Sequence, residues 1–438
     1  MNTSDSQSNA RQSAMSRSAI SQSPVLGYCT NVHAGTDVGS ILGTLEDISG
    51  RVRREVGVDS LGVGLWLPDS ATSELLRTGV EPLSEVMRAN ALAAYTINGF
   101  PFANFHAKRV KHAVYRPTWW EPERARYTEN LAHVLAALLP DHADLGTIST
   151  LPLGWPLPKH LRAAPSTDDD QYHAGVLCEK HPQWLDEEQV RLAAKQLQTL
   201  AEQLKALESE TGKRIVIAIE PEPGCLLHRT QDLIALFDAH LDDPTSRRYL
   251  SVCHDICHAA VMGESQETVL KQYADAEITI GKVQVSSAIV AHWRDKDRQA
   301  QDAMLDQLRS FAEDRYLHQT GVWDREGQFT LFGDLPELIE ASREHPELLE
   351  SHDRWVIHFH VPVFLENFGA LNTTRQDVET VFAVLASELG TYRFTGQWEI
   401  ETYAWSVMPE SMRQSGLVAD IASEVGWCRR LMDPTTHN

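Results

Sequence analysis

Long apolar runs are what this sequence most obviously lacks. No stretch approaches the roughly 18 residues that a membrane-spanning helix needs, so no membrane insertion is expected. Positive charge is scarce as well: 39 lysines and arginines stand against 61 aspartates and glutamates, a formal net charge of −22. A surface that acidic repels phosphate backbones and argues against nucleic acid as a partner, with Lys108, Arg109 and Lys111 forming one modest basic stretch. Cysteine is sparse. Cys29, Cys178, Cys225, Cys253, Cys257 and Cys428 show no regular framework, so no disulfide scaffold is expected, and reduced thiols in a cytoplasmic protein are. A glycine-rich dinucleotide fingerprint is missing after the first apolar segment, where "GTDVGS" stands instead. The N-terminus has no apolar signal-peptide core. Residues 1–24 are rich in Ser, Asn and Gln and read as a disordered tail, which leaves residues 25–433 for the folded domain.

What is present is an apolar content of 42% in 438 residues, enough for a sizeable core. Short apolar segments alternate with long amphipathic ones. Strands are predicted within 25–35, 60–68, 94–106, 143–156, 213–224, 249–259, 278–289, 354–364 and 395–405, with a less regular stretch ending near 353. In "KRIVIAIEPEPG" the Pro-Gly exit stops pairing. Such alternation implies a parallel sheet, here with one strand-like segment beyond eight. Polar residues close nearly every apolar segment. A closed barrel gathers those ends into one mouth, whereas an open sheet concentrates them at a single switch point. The expected fold class is therefore α/β, a (β/α)8 TIM barrel with extra strand and loop insertions late in the barrel.

The segment ends carry the candidate chemistry. Glu220 closes "IVIAI", with Glu222 two residues on, so alternation directs both carboxylates to the mouth, or leaves two solvent-facing acids in a loop. In "YLSVCHDICHAAV", Asp255 and His258 lie at a strand end turning into a helix. No second cysteine pair accompanies Cys253 and Cys257, which weighs against a structural zinc knot. The plainer reading is that Asp255 caps the helix and His258 satisfies a carbonyl. Gln284 and Ser286 share a side, as do His358 with His360, and Glu399 with Glu401. His33 and His106 close two early segments, and Trp66, Phe100, Phe102, Trp119, Trp155 and Trp405 flank segment ends as walls for a sugar-like ligand or as core. Buried carboxylates are costly unless paired or metal-bound. Glu220, Asp255, Gln284 and Glu401, with His258 and His360 beside them, make a hard-donor set suited to Mn²⁺ or Mg²⁺, and the imidazoles admit Zn²⁺.

The order of a strand-end Glu, then "HDICH", "KVQVSS" and "EIETY", resembles the xylose-isomerase-like TIM-barrel superfamily of sugar isomerases, epimerases and endonuclease IV-type repair enzymes. More closely, "GYCTNVHAG", "NGFPFANFH", "VKHAVYRPTW", "ISTLPLGW", "HFHVPVF" and "ETYAW" look like the EboE family, the barrel member of the Ebo metabolite-traffic cluster, across roughly residues 25–430. The resemblance implies a divalent-metal site with Glu220, Asp255 and Glu401 at ligand positions and His258 at the histidine that follows. It departs at Gln284, where relatives usually carry His, and His360 is placed to compensate. It further implies a small polyol or sugar-like ligand and, among partners, other Ebo-cluster proteins.

Three functions follow. The first is isomerisation or epimerisation of a small sugar, sugar phosphate or cyclitol, with Glu220 and Glu401 moving protons beside a carbonyl and His33, His106, His258, Trp119, Glu222 and His358 contacting substrate. The metal ligands are then Glu220, Asp255, Gln284, Glu401 and His360. The second is phosphodiester hydrolysis by a multi-zinc cluster built from His33, His106, Glu220, Asp255, His258, His360 and Glu401. The third is a non-catalytic metabolite carrier.

Overall fold

The computed structural model describes residues 24–156, 176–177, 187–387, 391–409 and 416–433. The expected disordered tail lies almost wholly outside them. Eight strands close a parallel barrel: β1 (Val25–Cys29), β2 (Leu61–Trp66), β3 (Leu92–Asn98), β4 (Leu145–Thr150), β5 (Arg214–Ile219), β6 (Leu250–Asp255), β7 (Ile280–Val285) and β8 (Gln397–Ile400). Each pairs with its neighbours in chain order, and β8 closes the ring on β1 through Val25–Gln397 and Tyr28–Ile400. The α/β TIM barrel is thus observed.

Burial on both faces explains why the barrel strands read as near-continuous apolar runs. Helices cover the outside through stripes at helical spacing. In Glu187–Thr211, Ala193, Ala194, Leu197, Leu200, Ala201, Leu204 and Leu207 are buried.

Between β7 and β8 the chain builds a second, antiparallel sheet. Its strands are Ile289–His292, Thr320–Asp324, Phe329–Phe332, His352–Ile357, Asn367–Phe368 and Leu371–Thr373, joined at one edge by Val176–Leu177 from the β4–β5 connection. This is the late insertion, and it absorbs the surplus strand. The strand expected over 354–364 is in fact His352–Ile357, paired antiparallel with Thr320–Asp324 and Ile289–His292. Two further strands and two helices occupy the stretch that looked irregular before 353. No helix among the described residues is long and apolar enough to cross a membrane. The five cysteines among them are unpaired and buried.

Candidate metal centre

Three barrel strands end on carboxylates. Glu220 follows β5 directly and is held by its backbone N–H on the Thr150 carbonyl at 3.0 Å. Asp255 is the last residue of β6, and Glu401 follows β8 with its N–H on the Val285 carbonyl at 3.0 Å. Ligand oxygens of the three lie within 4.8 Å of one another, and all three residues are buried. Acids from segments far apart in sequence therefore do meet in one cup.

Glu401 and Asp255 are each anchored through one oxygen. Glu401 Oε1 accepts from Asn31 Nδ2 at 2.8 Å and Asn98 Nδ2 at 2.7 Å. Asp255 Oδ1 accepts from the His258 backbone N–H at 2.9 Å and the Ser286 hydroxyl at 2.8 Å, so Asp255 does cap the short helix Ile256–Val261. Asp255 Oδ2 and Glu220 Oε2 are buried without a hydrogen-bond partner. Burial and then neighbouring carboxylates push Glu220 and Glu401 well above the usual carboxylic range. For Asp255 burial acts in the same direction but is outweighed by His258, His360 and the capping bonds, which hold it low.

Three histidines present the same nitrogen to the cavity. His258 Nδ1 donates to the Pro221 carbonyl at 2.9 Å, and His360 Nδ1 to the Glu401 carbonyl at 2.6 Å. His358 Nδ1 donates to Gln319 Oε1 at 2.8 Å, an orientation fixed because Gln319 Nε2 donates to the Pro223 carbonyl. An N–H committed to a carbonyl leaves Nε2 as a bare acceptor, the usual arrangement around metal-bound imidazole. His360 Nε2 has no hydrogen-bond partner and sits 3.8 Å from Asp255 Oδ2. His258 Nε2 and His358 Nε2 face each other at 3.2 Å, two lone pairs that need a cation or a proton between them. Glu222 completes a second group with these two, within 4.8 Å, and Tyr115 donates to its Oε1 at 2.7 Å. Burial lowers His360 to about 4 and takes His358 well below the ordinary imidazole range, so both are held neutral.

The plainer reading of "HDICH" is observed, since the cap and the satisfied carbonyl exist, and with those bonds made Asp255 Oδ2 and His258 Nε2 remain uncommitted to them. Gln284 is buried on β7, in register with Asp255 and Glu399, and both its amide atoms lack partners. Beneath this layer Lys282 and Glu399 form an ion pair at 2.5 Å, fully buried inside the barrel. Only a glycine admits it, because a Cβ at Gly64 would stand 1.2 Å from Glu399 Oε1. The unpartnered carboxylate, imidazole and amide atoms fit a hard divalent ion, with nitrogen donors adjacent.

The cavity above holds about 70 Å³, room for roughly five water-sized occupants. Glu220, Glu222, Glu401, His258, His358 and His360 line it, walled by Phe100, Phe105, Tyr115, Tyr316 and Tyr403. His33, His106 and Trp119 do not. His33 borders a separate small pocket and sits 3.2 Å from the Tyr28 hydroxyl. His106 Nε2 binds the Asn31 carbonyl at 2.7 Å, one step behind Glu401. Trp119 is fully buried in the core, its indole donating to Thr150 Oγ1 at 3.1 Å. Bulk and burial placed it there, where a sugar-stacking role was expected. The seven-ligand zinc set does not assemble as expected, because His33 and His106 stay outside. Sequence reading missed Asn31, Asn98, Tyr115 and Gln319; the two asparagines stand at strand ends, where the barrel rule applied to carboxamides would have found them. Lys111, the last residue of the basic stretch, is buried and ion-paired with Asp334.

No protein-family model matches the chain, and no curated protein matches it. Solved structures that it is similar to include a xylose isomerase-like TIM barrel protein from Mycobacterium smegmatis in complex with magnesium, at 10% identity and a TM-score of 0.48, covering 94% of this chain and 97% of that one. A xylose isomerase domain containing protein from Salmonella typhimurium matches at 11% identity and a TM-score of 0.41, covering 94% and 98%. IolI protein with a bound zinc atom matches at 12% identity and a TM-score of 0.35, covering 67% and 87%. The barrel is established by its own strand pairing, and likenesses at this level say nothing of the metal or substrate of this chain. The solved structures that this chain is similar to thus include xylose isomerase-like TIM-barrel proteins.

Proposed function

We propose that the chain is a divalent-metal-dependent isomerase or epimerase acting on a small, unphosphorylated sugar or cyclitol, a ligand class that its likeness in motif to the EboE family also suggests. The observation that carries this reading is the convergence of Glu220, Asp255 and Glu401, with Glu220 Oε2 and Asp255 Oδ2 buried and without a hydrogen-bond partner. Glu220, Asp255, Glu401, His360 and Gln284 would hold the ion. A bound Mn²⁺ or Mg²⁺ polarises a carbonyl or hydroxyl oxygen of the ligand and stabilises charge that develops on it. Glu220 and Glu401 face the cavity from different strands; one takes a proton from the carbon beside the carbonyl and the other returns one. Raised carboxyl affinities for protons suit both roles. The aromatic wall excludes water and covers the apolar face of a sugar.

Charge favours the unphosphorylated ligand. Among the described residues lining the cavity, Lys111 is the one lysine or arginine, and its ammonium is held by Asp334 and lies 3.9 Å from Asp314. A phosphate would meet Glu220, Glu222 and Glu401 with no uncommitted cation from those residues.

The facing Nε2 atoms of His258 and His358, with Glu222, favour a second reading: a multi-zinc phosphodiesterase acting on a small phosphodiester, in which bound ions would supply the missing positive charge. Elemental analysis of the purified chain separates the two. One Mn or Mg per chain supports the isomerase; two or three Zn support the phosphodiesterase. A chain that takes up no divalent ion sinks both and leaves a metabolite carrier.

A further inference from the structure

We infer that Glu424, on the C-terminal helix, is a positioning residue that fixes the spacing of Glu401 and His360 from outside the cavity. The inference rests on the metal site proposed above. Glu424 belongs to Leu417–Met432, a helix packed outside the barrel, yet it is 1% exposed. Its Oε1 accepts from two separate segments at once: the Thr402 hydroxyl at 2.6 Å and the Val363 backbone N–H at 3.1 Å. Its Oε2 accepts from the Trp405 indole at 3.0 Å. Thr402 adjoins Glu401, and Val363 lies three residues beyond His360. Those ligand-bearing segments also meet directly, where His360 Nδ1 donates to the Glu401 carbonyl at 2.6 Å. The post-β8 segment and the post-357 segment, which belong to different sheets, are thus cross-tied at two points: one at the ligands, one at Glu424.

A stability role alone accounts poorly for this arrangement. A buried carboxylate is costly, and apolar residues of similar volume would join the helix to the barrel at less expense. What only a doubly accepting oxygen supplies is a common point for a hydroxyl and a backbone N–H from two segments. A ligand whose supporting shell is removed remains present but misplaced, and loss of such support typically weakens metal binding by about 10–100-fold.

The test measures Mn²⁺ affinity of the full chain by calorimetry, with the Mn²⁺ electron paramagnetic resonance spectrum as a readout of ligand geometry and circular dichroism as a check of fold. Glu424→Leu removes both accepting oxygens, and with them the common point for Thr402 and Val363. Its expected result is a native dichroism spectrum, a Kd for Mn²⁺ raised by about tenfold or more, and an altered resonance spectrum. Thr402→Val removes one donor while keeping shape and is the second variant if Glu424→Leu does not fold; a raised Kd is expected there as well. A folded Glu424→Leu, or failing that Thr402→Val, with a Kd within about twofold of the parent, below the effect of lost support, overturns the inference while leaving the metal site standing. Absence of Mn²⁺ binding by the parent chain overturns the site and the inference together.

Discussion

Glu401 is pinned at one oxygen and open at the other. Asn31 and Asn98 both donate to Oε1, so a glutamine at 401 keeps its carbonyl oxygen there and turns its amide toward the cavity. Glu401→Gln is therefore expected to fold normally by circular dichroism. Turnover of unphosphorylated ketoses or cyclitols falls by about 10²–10⁴-fold, the range for loss of one proton-transfer group. Parent-level turnover in the folded variant would remove Glu401 from the chemistry. The acids were legible because a charged residue that ends an apolar run in a barrel has one place to point, the mouth. Asn31 and Asn98 were not, since carboxamides end strands for many reasons and nothing local says that they share one distant oxygen. Trp119 misled for the opposite reason: an indole after a loop looks like a sugar wall, and only its long-range packing on Thr150 shows it to be core.

The barrel strands announce themselves as apolar runs because helices cover one face and the interior the other. The second sheet does not, because its short strands take their partners from distant segments: Leu177 pairs with Leu331, and Arg354 with His292. Alternation still placed His358 and His360 on one face, although both lie past the strand's end at Ile357. Their rings are 5.3 Å apart, held by Gln319 and the Glu401 carbonyl and not by a ladder. The C-terminal helix shows a related effect. Burial raises Glu424 to about 7 from the ordinary 4.5, against its three hydrogen bonds, with Asp420 on the same helix adding repulsion and the buried Cys428 thiol nearby. A folded-state value above the unfolded one means stability that is full below the ordinary carboxyl range and is lost as pH rises through about 7. Glu424→Gln cannot titrate. Its melting temperature minus that of the parent is expected to grow more positive from about pH 5 to about pH 8, while the dichroism of both stays native. A difference that is flat or falls with pH would show that Glu424 is already ionised across that range.

At the scale of the whole molecule, a chain of net charge −22 buries Glu220, Glu222, Asp255, Glu399 and Glu401 around one cup, with Lys282 as the buried cation below. Without a metal, burial and mutual repulsion hold the Glu220 and Glu401 carboxyl groups protonated beyond their usual range. Their raised folded-state values mean that ionising them costs stability, so the metal-free chain loses stability as pH climbs through those values. A divalent ion needs the same groups ionised, and its binding releases their protons, so its affinity rises with pH. The first effect is common to both samples and cancels, so the difference between loaded and free protein follows the affinity alone. The rise in melting temperature on adding Mn²⁺ is expected to be small near pH 5 and to increase steadily toward pH 8. It corresponds to about 2.7 kcal/mol wherever the free ion stands at about a hundred times its Kd. Paired thermal melts with and without Mn²⁺ across that range, with chelator as the reference, measure it. A shift that stays level with pH would mean that the ion binds elsewhere, on exposed acids that are ionised throughout the range, and not at the buried carboxylates that converge at the barrel mouth.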